Sequence, residues 1–150
     1  MRINRLITSW LAALILTVPV TALAENSRDF GDYVIHYNAM AADFVPPEVA
    51  RKYRITRSRN RGLINITVLK KVLGSPGQPV HARVDVSARN LAGQGRSIHM
   101  REIREGTAIY YLGEFGVANE ETQNFDVRAQ PQGSQAIVDV RFSQDFYTGE

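Results

Sequence analysis

Between Val80 and Arg89 the chain alternates without a break. Val80, Ala82, Val84, Val86 and Ala88 fall on one side, and His81, Arg83, Asp85, Ser87 and Arg89 on the other. A period of two fits a strand with one buried face and excludes a helix, whose apolar stripe recurs every three or four residues. It also pins register, because a one-residue slip would turn the whole inner row to solvent. Similar rows recur in Tyr33-Val34-Ile35-His36-Tyr37, in Ile64, Ile66 and Val68 within 63–73, and in Phe125, Val127 and Ala129. The last row, within 135–147, places Ala136, Val138, Val140 and Phe142 inward.

One stretch departs from this one-sided pattern. In Ala108-Ile109-Tyr110-Tyr111-Leu112, Ile109 and Tyr111 point one way while Tyr110 and Leu112 point the other, so both faces carry bulk. That suits a central strand covered on both sides, with Gly113 leaving room for a close neighbour.

The punctuation between rows is short. Gly74-Ser75-Pro76-Gly77-Gln78-Pro79 is the clearest loop, with turns at 58–62, 90–95, 104–107 and 130–134. Residues 25–31 are polar and predict a fraying end, and 54–57 predict a short strand. A turn at Leu91 to Gln94 predicts a hairpin whose partners sum to about 185, setting His99 opposite Val86 and His81 opposite Arg104. Val45-Pro46-Pro47 forces extended backbone, and Pro47 to Tyr53 then reads as one short helical turn, with proline at its start and Glu48 near its positive end. About eight strands and almost no helix predict an all-β fold. Two antiparallel sheets packed as a sandwich are the natural solution, with a closed barrel as the alternative.

The first 24 residues read as an export signal. Arg2 and Arg5 precede a 15-residue run, Leu6 to Val20, that is apolar apart from Thr8, Ser9, Thr17 and Pro19. Ala22-Leu23-Ala24 offers a small-x-small cleavage site, which leaves one domain over 25–150. The run is short of the ~20 residues that span a bilayer, so no transmembrane segment is expected after cleavage. Localisation to the periplasm follows. The whole chain carries 18 Lys+Arg against 15 Asp+Glu; without Arg2 and Arg5 the count is 16 against 15. Near-neutral charge gives no reason to expect a nucleic-acid partner. The chain has no cysteine, which excludes thiol catalysis and thiolate metal sites.

The sharpest local feature is a basic run. Arg51, Lys52, Arg54, Arg57, Arg59 and Arg61 lie within eleven residues that contain no acid. Such a run is either a docking patch for phosphate or carboxylate, or a solvated face neutralised by acids such as Glu120, Glu121 or Asp126. The three histidines stand apart in the predicted register, and no metal site or cofactor is expected. No Gly-x-Ser-x-Gly elbow or phosphate-binding glycine loop occurs, so no catalytic residues are assigned and the protein is not expected to be an enzyme. The aromatics Tyr33, Tyr37, Tyr110, Tyr111, Phe146 and Tyr147 suit packing better than a ligand cleft.

The run from Ile103 through Arg104-Glu105-Gly106-Thr107-Ala108-Ile109-Tyr110-Tyr111-Leu112 to Gly113 resembles a bacterial family known as domain of unknown function 4426. So do the ending Val140-Arg141-Phe142-Ser143-Gln144-Asp145-Phe146-Tyr147, the early His36-Tyr37-Asn38-Ala39, and the stretch from Tyr53 to Gly62. The resemblance spans the exported chain and implies an exported Gram-negative protein with an immunoglobulin-like β-sandwich and no assigned activity. The expectation is a non-catalytic binding or interaction module of the cell envelope. Its partner is an envelope protein or anionic ligand, met at a sheet edge or at the basic run. The alternative is a small-ligand carrier with an apolar pocket between the sheets.

Overall fold

The computed structural model describes residues 26–149; the predicted export signal lies outside the described residues. Ten strands form two antiparallel sheets: β1 (Asn26–Phe30), β2 (Tyr33–Ala41), β3 (Arg61–Lys70), β4 (Gln78–Pro79), β5 (Ala82–Asn90), β6 (Gly95–Ile98), β7 (Met100–Glu105), β8 (Ala108–Gly116), β9 (Glu121–Pro131) and β10 (Val138–Phe146). The first sheet runs β1-β2-β3-β8-β7 with β4 paired to β3; the second runs β10-β9-β5-β6. The pair of orders β2-β3-β8-β7 and β10-β9-β5-β6 matches the A-B-E-D and G-F-C-C′ layers of an immunoglobulin-type sandwich, with β1 added at one edge. The predicted sandwich is therefore the observed fold, and a closed barrel is not.

The alternating rows supply the layer between the sheets. Ile35, Ile64, Ile66 and Val68 from the first sheet meet Val86, Ala88, Phe125, Val127, Ala129, Val138 and Val140 from the second, all buried. The middle of the layer is aromatic. Phe115 meets Phe125 edge-on at 5.3 Å and Phe146 at 5.6 Å, while Phe142 stacks on Phe125 at 4.9 Å and lies 4.8 Å from Tyr37. Beyond area burial, each such contact contributes about 0.5–1.5 kcal/mol. With no disulfide across the sheets, this ladder and the aliphatic rows around it hold the layers together.

A second, smaller apolar cluster lies on the far face of the first sheet. A 3₁₀ turn (Ala42–Phe44) and a short helix, α1 (Pro47–Tyr53), cross over that face, and Ala42, Val45, Ala50 and Ile55 pack on Leu63 of β3 and Leu112 of β8. This explains the two-sided strand. Ile109 and Tyr111 enter the main core, while Tyr110 and Leu112 enter the second cluster. β8 sits between β3 and β7, and a Cβ at Gly113 would lie 2.5 Å from both Ile98 Cγ2 and Met100 Sδ.

Four expectations are corrected. Residues 26–30 are not frayed: they form β1, pairing Asn26 with Tyr37 through Phe30 with Tyr33. Residues 54–57 are not a strand. Arg54 takes a left-handed conformation (φ 53°) that ends α1, and irregular chain follows. Ten strands replace about eight: the strand expected at 54–57 is absent, while β1, the two-residue β4 and the division of the return strand into β6 and β7 add three. The β5–β6 hairpin pairs Val86 with Ile98, a sum of 184 rather than 185, and the chain then leaves the sheet. His99 lies between β6 and β7, where the chain passes from the second sheet to the first, so the predicted pairing of His81 with Arg104 does not form.

Candidate functional site

The crossover segment leaves a groove of about 470 Å³ between itself and the far face of the first sheet. Its floor is Leu63, Asn65, Ile103, Tyr110 and Leu112; its roof is Phe44, Val45 and Val49 with Ile55. Phe44 stands at the rim with 76% of its surface exposed, an unusual position for a phenylalanine. Asn65 Oδ1 is buried and accepts no hydrogen bond among the described residues. One end of the groove is closed by Glu105, which accepts from both Lys52 Nζ and Tyr53 Oη, and Lys52 lies 5.2 Å over the Tyr53 ring.

Local sequence builds this arrangement. Pro46 (φ −54°, ψ 141°) holds the entry to α1 extended, and Pro47 begins the helix where its missing N–H costs nothing. A seven-residue helix is not stable alone. It is held by Ala50 and Ile55 on the sheet, by Thr56 N–H donating to Glu114 Oε1 at 2.7 Å, and by Arg57. The Arg57 guanidinium donates to Val45 O at 2.7 Å and to Asp43 O at 2.9 Å.

The basic run is thus divided. Arg57 is a strut that ties the two halves of the crossover together. Lys52 is spent on Glu105, and Arg61 faces Glu114 at 3.7 Å. Arg51, Arg54 and Arg59 are exposed, and Arg101 Nη2 reaches Arg54 O at 3.3 Å. Glu105 thus meets Lys52 and Glu114 meets Arg61, while Asp126 pairs with Arg141 on the second sheet. Arg51, Arg54 and Arg57 line one open cleft with Pro47, Ala50, Ile55 and Thr56, whereas Lys52 lies at the groove with Glu105.

A polar cluster closes one end of the sandwich. Glu102 on β7 accepts from His81 Nδ1 at 3.0 Å, Tyr111 Oη at 3.1 Å and Arg104 Nε at 2.6 Å, and Tyr111 Oη accepts from Ala82 N–H at 2.7 Å. The His81 and Arg104 hydrogen bonds hold the Glu102 carboxyl down at about 2, and burial pushes the Tyr111 hydroxyl up. Through Ala82 and His81 the cluster ties β7 and β8 of the first sheet to the start of β5 in the second. Among the described residues no group of three or more His, Asp or Glu gathers at metal-binding distance.

The groove was not apparent in the sequence. Its roof is a segment that reads only as a connection, and its one signal is the apolar Phe44-Val45 immediately before two prolines.

A search of curated proteins found no match. The crystal structure of a DUF4426 family protein from Pseudomonas aeruginosa PAO1 is similar at 32% identity, with a TM-score of 0.71 over 84% of this chain and 97% of that one. FetP of a uropathogenic E. coli strain, expressed recombinantly in the periplasm of E. coli, shares the fold at 7% identity, with a TM-score of 0.50 over 81% of this chain and 91% of that one. The model of the domain of unknown function DUF4426 matches residues 27–149. With nearly all of the described sandwich matched, the chain belongs to the DUF4426 family.

Proposed function

We propose that the protein is a non-catalytic binding module of the periplasm that seats an apolar group of an envelope protein in the groove beneath the crossover. The observation that carries this reading is an apolar floor and roof with one amide side chain, Asn65, in the lining. That combination suits an aliphatic or aromatic side chain carried next to an N–H, as in a peptide. The export signal read over residues 1–24 supports the compartment.

The expected small-ligand carrier had its pocket between the sheets, but aromatic rings fill that layer. The groove lies outside the first sheet, and its volume falls within the ~300–1,000 Å³ of small-molecule sites, so a free apolar ligand is the second reading. Titration of isotope-labelled protein with N-acetyl-phenylalaninamide, followed by NMR, tests the site. Shifts confined to Asn65, Tyr110 and Leu112, and lost in Asn65→Leu, are expected. Shifts elsewhere, or none, would remove the groove as the binding site.

A further inference from the structure

β10 is the outer strand of the second sheet, and its free edge is a better template for self-pairing than the other three edges. β6 offers four residues and β1 five, and β7 ends in Glu105, which is held by Lys52 and Tyr53. β10 pairs with β9 in one unbroken register over nine residues and contains neither proline nor glycine. Arg28 Nη1 donates to Asp139 O at 2.9 Å, so the main-chain groups of Asp139 point to the free edge. In an antiparallel ladder alternate residues share that direction, which places the N–H and C=O of Arg141, Ser143 and Asp145 on the same edge.

We propose that two copies of this chain form a two-fold dimer by antiparallel pairing of β10, in the register that sets Ser143 opposite the partner's Ser143. Charge and paired length together select this register. It places Arg141 opposite the partner's Asp145 and, by symmetry, Asp145 opposite the partner's Arg141. Centring the pair on Arg141 would oppose two arginines, and centring it on Phe142 would oppose Asp139 and the partner's Asp145. Centring it on Asp145 would oppose two aspartates. Like charges directly opposite are unfavourable in a sheet.

Both side chains keep capacity for the new contact. Arg141 is 86% exposed and spends only Nε, on Asp126 Oδ1 at 2.6 Å; Asp145 spends Oδ1 on Thr122 at 2.6 Å and retains Oδ2. The pairing ends short of Asp139, whose carbonyl is already held by Arg28. Charges on an edge usually deter pairing. Here they disfavour both other registers that pair at least seven residues of β10; centring on Val140 or Gln144 opposes no like charges but pairs only five.

Sedimentation equilibrium on the protein as recovered from expressing cells tests this. The wild-type chain is expected to show a monomer–dimer equilibrium, and Arg141→Asp and Asp145→Arg each to weaken it by roughly tenfold or more. An equimolar mixture of the two variants recovers both opposite-charge contacts, so a heterodimer as tight as the wild-type dimer is expected. That recovery also shows that each variant is folded. Ser143→Pro, which removes an N–H aimed at the free edge, is expected to give a folded monomer. A wild-type protein that stays monomeric at about 1 mM, the weak end of specific association, would overturn the proposal. So would a dimer indifferent to Ser143→Pro, or variants whose mixture does not pair.

Discussion

Glu102 lies directly opposite Tyr111 in the β7–β8 ladder, and the tyrosine hydroxyl reaches Glu102 Oε2 at 3.1 Å while accepting the N–H of Ala82 from the other sheet. The two residues are the polar counterpart of the aromatic ladder, since both tie the sheets together. Tyr111 carries the join from the buried core to the rim, where Glu102 meets His81 and Arg104.

This join predicts an acid limb of stability. The Glu102 carboxyl is lowered from 4.5 to about 2, chiefly by the His81 and Arg104 hydrogen bonds. A lowered carboxyl contributes stability that is complete above the unfolded value and is lost as pH falls from about 4.5 toward 2. With the side chain 28% exposed, solvent screening limits the contribution to about 1–2 kcal/mol. Urea unfolding of wild type and Glu102→Gln across that window should show the variant less stable at neutral pH and less sensitive to acid. Parallel pH profiles would show that Glu102 does not couple to folding.

Gly113 tests the packing between β8 and the β6–β7 passage. Alanine there would push a methyl to 2.5 Å from Ile98 Cγ2 and Met100 Sδ, and to 3.3 Å from His99 O. Gly113→Ala should cost about 1–3 kcal/mol, the usual range for overpacking, and lower the thermal midpoint by several degrees. An unchanged midpoint would mean that the passage gives way freely.

Arg57 and Arg51 differ sharply in role although both lie in the basic run. Arg57 holds the carbonyls of Val45 and Asp43, whereas Arg51 is exposed on α1. Arg57→Ala should destabilise by about 1–3 kcal/mol through lost charge-assisted bonds, and Arg51→Ala should stay within about 0.5 kcal/mol of wild type. Chemical denaturation distinguishes them, and equal effects would contradict the division of the run.

What was legible in the sequence was what local alternation encodes. The inward rows at Val86 and Ala88, at Ile64 to Val68 and at Val138 to Val140 appear where the period of two places them. The doubly covered strand at Ile109–Leu112 was visible because bulk on both faces has few other uses, and α1 because Pro47 and Glu48 mark a helix start. The failures are non-local. β1 has little apolar content and exists because the β2 edge offers main-chain partners. The left-handed turn at Arg54 occupies a position that glycine usually marks. The meeting of His81 and Glu102 depends on the chain changing sheets at His99, which no hairpin sum can reveal. The groove needed both the crossover and the sheet beneath it, and its roof residues carry no periodic signal.

Photo-crosslinking in intact cells tests the central claim most directly, with the crosslinkable residue at Phe44 on the groove rim and, as a control, at Arg83 on the outer face of the second sheet. The account predicts a discrete protein adduct from Phe44, absent from Arg83 and lost when Asn65→Leu is added. No adduct at Phe44, or the same adducts from both positions, would contradict the groove as the surface through which this protein meets its partner.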